Sequence, residues 1–208
     1  MKTTYSLGEA VEIGVDEAGR GCFWGPVFAG AVIWPPEDKW TTEHRDLMPF
    51  IKDSKKITEK RRPQIAAKIK ELALAWGVGR VDSSEINEHG MTWANQEAFR
   101  RAIADCIVSG IQPTLLLIDG ILGIPGSTVP YQCIPGGDNM YLPIAAASIL
   151  AKVGRDKYVE DWSEEHEEIA TRYDLLNNKG YGTAKHRQGL KSHGPNEFHR
   201  TKFIRNWL

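Results

Sequence analysis

Three places in the chain put carboxylates where an apolar or glycine-rich run stops. Asp16 and Glu17 follow the apolar stretch 11–15, Asp119 follows the run TLLLI at 114–118, and Asp138 follows Gly136-Gly137. Loops at the carboxyl ends of strands are where sites form in α/β sheets, so these acids stand where chemistry could be done. An unpaired carboxylate near a core is costly, and several converging ones need cations to offset them. Hard divalent ions meet that need; magnesium prefers oxygen ligands and keeps waters and substrate phosphates in its shell. Two such ions about 3.5–4 Å apart can activate a water and stabilise the leaving oxygen of a phosphodiester. Each acid also has an ordinary reading. Asp119-Gly120 is a common turn pair, Asp138 suits a cap, and Asp16-Glu17 can simply end a strand at the surface. Spacing alone leaves the choice open, because neighbours along a strand point to opposite faces unless the strand is ending there.

Competing chemistries lack their signatures: the sequence holds no HExxH, GxSxG or GxxxxGK[ST], and its six histidines show no metal-ligand spacing. Cys22, Cys106 and Cys133 form no CxxC. Their odd number argues against a disulfide framework and fits a reducing cytosol. Gly19-Arg20-Gly21 offers backbone that a ligand can approach closely, with a cation able to pair with phosphate. Alone, it is also just a tight turn.

The elements that must position these residues alternate between strand and helix. Apolar runs predict strands at 11–15, 27–34, 78–81, 114–118 and 131–134. Helical spacing predicts helices at 58–76, with Thr58 as a cap, at 92–109, and from about 143 past 158. The last of these opens with IAAAS, small residues that allow a helix to lie close on a sheet. From 183 onward one or two short helices carry basic charge. The class is therefore α/β, in a single domain over 1–208 with a basic C-terminal helical segment at about 179–208.

The net charge of −1 conceals an uneven distribution. Residues 160–168 hold six acids and no Lys or Arg, whereas 179–205 hold seven Lys or Arg against the single acid Glu197. One basic face, and hence an anionic partner, follows as an expectation. The N-terminus has no apolar signal-like region and no uncharged run is long enough to span a bilayer, so the sequence reads as soluble and cytoplasmic.

Taken together, the motifs resemble the type 2 ribonuclease H family, ribonuclease HII, over nearly the whole chain. The residues that carry the resemblance are GVDEAGRG at 14–21 with GPV at 25–27, DSKKITEKRR at 53–62, and LLIDG at 116–120. They continue with GGD at 136–138 leading into IAAASILAKVGRD at 144–156, then KGYGT at 179–183 and FHRTKF at 198–203. The resemblance implies an RNase H-like fold, a mixed central sheet flanked by helices. It implies hydrolysis of RNA in RNA/DNA hybrids, and nicking 5′ of a single ribonucleotide embedded in duplex DNA to leave a 3′-hydroxyl and a 5′-phosphate. Asp16, Glu17, Asp119 and Asp138 map onto the family's four acids, ligands of two magnesium or manganese ions. Gly19, Arg20 and Gly21 map onto the loop that contacts the 2′-hydroxyl, the group that distinguishes RNA from DNA. Tyr181 maps onto the tyrosine at the RNA–DNA junction, and Lys55, Lys56, Lys152 and Arg155 are the expected phosphate contacts.

A monomer is expected, without a sliding-clamp motif. Two alternatives were weighed: a hybrid-binding protein weak in catalysis, and an RNase H-fold nuclease with a different nucleic-acid substrate. The intact acid quartet argues against the first, and the glycine-arginine-glycine loop with Tyr181 against the second. Phe23-Trp24 departs from the family's small or aliphatic pattern beside that loop. Met91-Thr92-Trp93 departs from it too, as does the bulky NMYLP after the GGD block.

Overall fold

A computed structural model describes residues 1–6, 10–52 and 57–208. At its centre lies a five-stranded sheet in the order β3-β2-β1-β4-β5, built from β1 (Glu12–Ala18), β2 (Val27–Ile33), β3 (Ala75–Val81), β4 (Leu115–Asp119) and β5 (Tyr131–Ile134). Strand β1 is antiparallel to β2 and parallel to β4, so the sheet is mixed. Because β1 and β4 run the same way, their carboxyl ends, carrying Asp16-Glu17 and Asp119, emerge side by side.

Two helices clamp the strands. Helix α4 (Met91–Ile107) covers one face, where Ala94, Ala98, Phe99 and Ala102 pack with Ile13, Val15, Ala29, Ala31 and Ile118. Helix α5 (Leu142–Glu165) covers the other with Ala145, Ala146, Ala147 and Leu150, supported by α1 (Thr42–Lys52) and α2 (Arg62–Leu72). The small residues of IAAAS do allow the close approach expected of them. A Cβ on Gly30 would lie 2.2 Å from the Ala147 carbonyl oxygen, and one on Gly14 would lie 2.2 Å from the Pro143 carbonyl carbon. Both distances are far inside contact, so only glycine lets α5 sit this low on β1 and β2.

Three local expectations change. The helix expected over 58–76 begins with a short 3-10 turn at Glu59–Arg61, and Thr58 makes no side-chain cap bond there. It then ends at Leu72. Ala73 turns extended, Leu74 N donates to the Ile33 carbonyl at 2.9 Å, and Trp76 is drawn into β3 opposite Val32. Helix α1 lies outside the elements expected above; it forms with Pro49 inside it, and His44, Leu47 and Ile51 make one buried face. Helix α3 (Ser83–His89) was also missed, although Asp82 and Glu85 form a reciprocal capping box at its start.

Beyond α5 the chain makes α6 (Glu167–Arg172), α7 (Leu175–Asn178), α8 (Ala184–His193) and α9 (Thr201–Ile204). Thr183 caps α8 by accepting from His186 N. These helices gather around a separate aromatic cluster that contains Trp24, Trp162 and Tyr173. Among the described residues no helix is long and apolar enough to cross a membrane.

Candidate active site

Asp16 and Glu17 leave β1 on opposite faces, as strand alternation requires. Asp16 shares a face with Gly14, and is 6% exposed beneath α5, where the nearby Ser148 hydroxyl favours its charged form. Glu17 shares a face with Val15 and points toward α4, near Asn95. The backbone N–H of Glu17 also donates to Asp16 Oδ1 at 2.7 Å. The two acids therefore straddle the sheet edge, one above and one below.

Asp119 reaches them through the register of the parallel pair. Val15 lies opposite Ile118, and the next step along both strands sets Asp16 beside Asp119. Gly120, at φ +80°, turns the chain sharply away at that point. Asp138 arrives from the 3-10 turn at Gly137–Asn139, and its N–H donates to Asp119 Oδ1 at 3.4 Å.

Burial and mutual repulsion act in the same direction on these groups. Desolvation, then the charges of Asp119 and Glu17, raise the Asp16 carboxyl well above its usual value, against the opposing effect of the Ser148 hydroxyl. Burial raises Glu17 as well, offset in part by Arg20 at 3.8 Å and by Asn95. Asp119 is raised by burial and then by Asp138. Partly buried like charges of this kind attract a hard cation, and carboxylate oxygens are its preferred donors. The donor set fits such an ion in kind. Among the described residues, however, no three His, Cys, Asp or Glu side chains stand close enough to enclose one.

Beside the acids lies a cleft of roughly 320 Å³, whose walls include Glu17, Gly19, Arg20, Gly21, Lys152 and Tyr181. Gly19 adopts φ +86°, and a Cβ there would fall 2.0 Å from Arg155 Nε, so glycine is required twice over. Arg20 is half exposed at the rim. The loop is held from beneath by Arg200, which is fully buried and donates from Nη1 to Gly19 O at 2.7 Å and Arg20 O at 3.0 Å. Its Nε donates to Gly25 O at 2.9 Å. Burial lowers the Arg200 guanidinium to about 10.

Arg155 departs from its expected role as a phosphate contact. It is 1% exposed, and its guanidinium donates to the carbonyls of Pro26, Lys179 and Trp24 at 3.2, 2.7 and 3.2 Å. Its charge ties the β1–β2 connection to the KGYGT turn. Tyr181, on that turn, is 43% exposed in the cleft with the Arg155 guanidinium 5.6 Å from its ring centre. Burial and the neighbouring Cys22 push its hydroxyl up to about 12. Lys152 lies in the cleft wall and pairs with Asp156 at 3.0 Å. Lys55 and Lys56 lie outside the described residues.

Phe23 and Trp24 now have a structural account. Trp24 is wholly buried, packs against Trp162 at 4.6 Å and Phe198 at 5.5 Å between ring centres, and bridges to His199. Its indole N–H donates to Asn196 Oδ1 at 3.2 Å. Phe23 fills the space left by Gly182, where a Cβ would meet its ring at 2.3 Å. The pair is the anchor by which the C-terminal helices hold the loop. Arg200, Ser148 and Asn95 were not singled out from the sequence as site residues. Arg200 lies in the quoted FHRTKF block, but an arginine in a basic segment reads as a surface charge until its burial is known.

A mixed sheet with acids at the carboxyl ends of its two central parallel strands, next to a glycine-lined cleft, defines an RNase H-like α/β protein. The ribonuclease HII family model matches residues 13–206, and the chain belongs to that family; it is an endoribonuclease that cleaves RNA paired with DNA. The ribonuclease HII of Chlorobium luteolum is 41% identical over 190 residues, spanning 91% of this chain and 86% of the relative. That of Parabacteroides distasonis is 42% identical over 193 residues, 93% and 89% of the two chains. Among solved structures, RNase HII in a complex with PCNA from Archaeoglobus fulgidus superposes with a TM-score of 0.72 at 25% identity, covering 94% of this chain and 96% of that one.

Proposed function

We propose that Asp16, Glu17, Asp119 and Asp138 hold two divalent cations, magnesium or manganese. With them the chain nicks duplex DNA 5′ of a single embedded ribonucleotide, leaving a 3′-hydroxyl and a 5′-phosphate. The observation that carries this reading is geometric: the parallel register of β1 and β4 sets Asp16-Glu17 beside Asp119, Asp138 N–H donates to Asp119 Oδ1 at 3.4 Å, and the Gly19–Gly21 cleft lies alongside. Held by these four acids, a cation pair would supply a lowered pKa for an attacking water and positive charge for the leaving oxygen.

The chain's own residues do the rest. The Gly19 and Gly21 backbone, bare of side chains, lets the ribose come close enough for its 2′-hydroxyl to be read. Arg20 pairs with an adjacent phosphate. The exposed Tyr181 ring stacks at the junction between ribonucleotide and deoxyribonucleotide. Lys152, together with Lys55 and Lys56, holds phosphates and fixes register without reading sequence. Residues 1–208 act as one catalytic domain and as a monomer. The three free cysteines suit a reducing compartment, the cytoplasm.

The test is a duplex with one ribonucleotide, cut with and without Mg²⁺ and mapped at nucleotide resolution. A magnesium-dependent nick on the 5′ side, abolished by Asp16→Asn, is the expected result. Undiminished cleavage by Asp16→Asn, or a cut on the 3′ side, would overturn the assignment. Tyr181→Ala should lose preference for the junction while still cutting long hybrids.

A further inference from the structure

We propose that Asn95 is a positioning residue for Glu17, its side-chain amide fixing the carboxylate in the orientation that cation binding requires. The inference rests on the reading of Glu17 as a cation ligand. Asn95 belongs to the stripe of α4 that faces the sheet, at helical spacing with Ala98, Phe99 and Ala102. Its three companions on that stripe are apolar, and Asn95 is as completely buried as they are. Yet neither amide atom of Asn95 has a hydrogen-bond partner of ordinary geometry among the described residues.

Burying an amide without partners is unfavourable, and such groups in native proteins call for an explanation. The adjacent group is Glu17, which shares with Val15 the face of β1 that α4 covers and lies within reach of the Asn95 side chain. In this structure Glu17 is turned toward Arg20, with 3.8 Å between charged atoms. Arg20 is half exposed at the cleft rim, where a substrate phosphate can draw it away, whereas Asn95 is wholly buried. When Arg20 leaves, the Asn95 N–H is a side-chain donor that remains beside Glu17. An amide orients a carboxylate without cancelling its charge, which an arginine in the same place would do. That is the property needed next to a cation ligand.

The test combines Asn95→Leu, which has the same number and branching of side-chain heavy atoms, with Glu17→Gln and the double variant. Mn²⁺ binding to the protein without nucleic acid is followed by titration, and thermal stability is followed on metal-free protein. Asn95→Leu should melt at the wild-type temperature or above it, because an unsatisfied amide has been removed. It should nevertheless bind Mn²⁺ about 10–100-fold more weakly. The double variant should bind no more weakly than Glu17→Gln alone, since the two residues act through one carboxylate. A residue that merely fills space would leave Mn²⁺ affinity unchanged in Asn95→Leu, and that result overturns the proposal. If Glu17→Gln itself binds Mn²⁺ like wild type, the reading of Glu17 as a ligand fails and the proposal falls with it. Loss in Glu17→Gln with none in Asn95→Leu overturns the role of Asn95 alone. Asn95→Ala, read by the same titration, serves if the leucine variant does not fold.

Discussion

His186 and His199 meet Nε2 to Nε2 at 3.0 Å in the protein interior, joining α8 to the segment that leads into α9. One proton can sit between two imidazole nitrogens; two cannot. His186 Nδ1 faces the Tyr181 carbonyl at 3.0 Å, so the pair supports the turn that carries the cleft tyrosine. Burial lowers both rings, His199 to about 3 with the neighbouring His186 adding to the effect.

This pair should make the fold acid-labile. Above the ordinary histidine value of about 6.5 both states are neutral and pH has no effect through these groups. Below it the unfolded chain takes up protons that the folded chain refuses. Stability then falls by up to about 1.4 kcal/mol per pH unit for each ring, down to the folded-state value. Urea denaturation from pH 8 to 5, compared with His199→Gln, should show a steeper loss in the wild type. Parallel curves would count against the pair.

Arg200→Met should leave the carbonyls of Gly19, Arg20 and Gly25 without their donor. A cost of about 3 kcal/mol or more is expected, with loss of cleavage. Arg200→Lys should recover little, since an ammonium cannot reproduce the geometry of the guanidinium. Denaturant midpoints and nicking rates measure both effects.

Trp24→Ala should destabilise by about 3–5 kcal/mol through the cavity it leaves among Trp162, Phe198 and Tyr158. Addition of an apolar side chain elsewhere in the cluster would not restore the indole bond to Asn196. Trp24→Phe should be intermediate, and thermal melts rank the three proteins.

Asp16→Asn should stabilise the metal-free protein at neutral pH while abolishing cleavage. A carboxyl whose folded-state pKa is raised stays protonated longer in the native chain, so its charge becomes a penalty as pH climbs past the unfolded value near 3.9. That penalty grows until the pH passes the raised folded-state value, and the amide removes it. An added divalent ion should raise the melting temperature of the wild type more than that of the variant.

Lys152→Ala should weaken duplex binding at all sequences alike and reduce the slope of log affinity against log salt by about 1. A change confined to ribonucleotide-containing duplexes would instead point to a role in recognition.

The sheet and its main helices were legible because their patterns are local. TLLLI gives a strand buried on both faces, and the alanines after Pro143 announce a helix pressed to a sheet. The acids were legible only as a set, through the motifs that surround them; Asp119-Gly120 by itself remains an ordinary turn. What escaped were residues whose meaning depends on distant partners. Arg155 and Arg200 read as surface cations, and only burial against carbonyls far along the chain shows them to be internal struts. The role of Asn95 escapes the sequence, since helical spacing cannot tell a sheet-facing amide from a solvent-facing one when the sheet edge is unknown. Helical spacing places Trp76 at the end of a helix, whereas a backbone bond from Leu74 to Ile33 draws it into β3.

The bond from Arg200 to Gly19 joins positions 181 residues apart. A ribosome adding 5–20 residues per second makes that arginine roughly 10–40 s after the glycine. For all that time the loop exists as chain without its clamp, and the sheet edge with the acids can assemble before the cleft beside it does. Maturation of this protein therefore has an order built into its contact map: framework early, substrate cleft late.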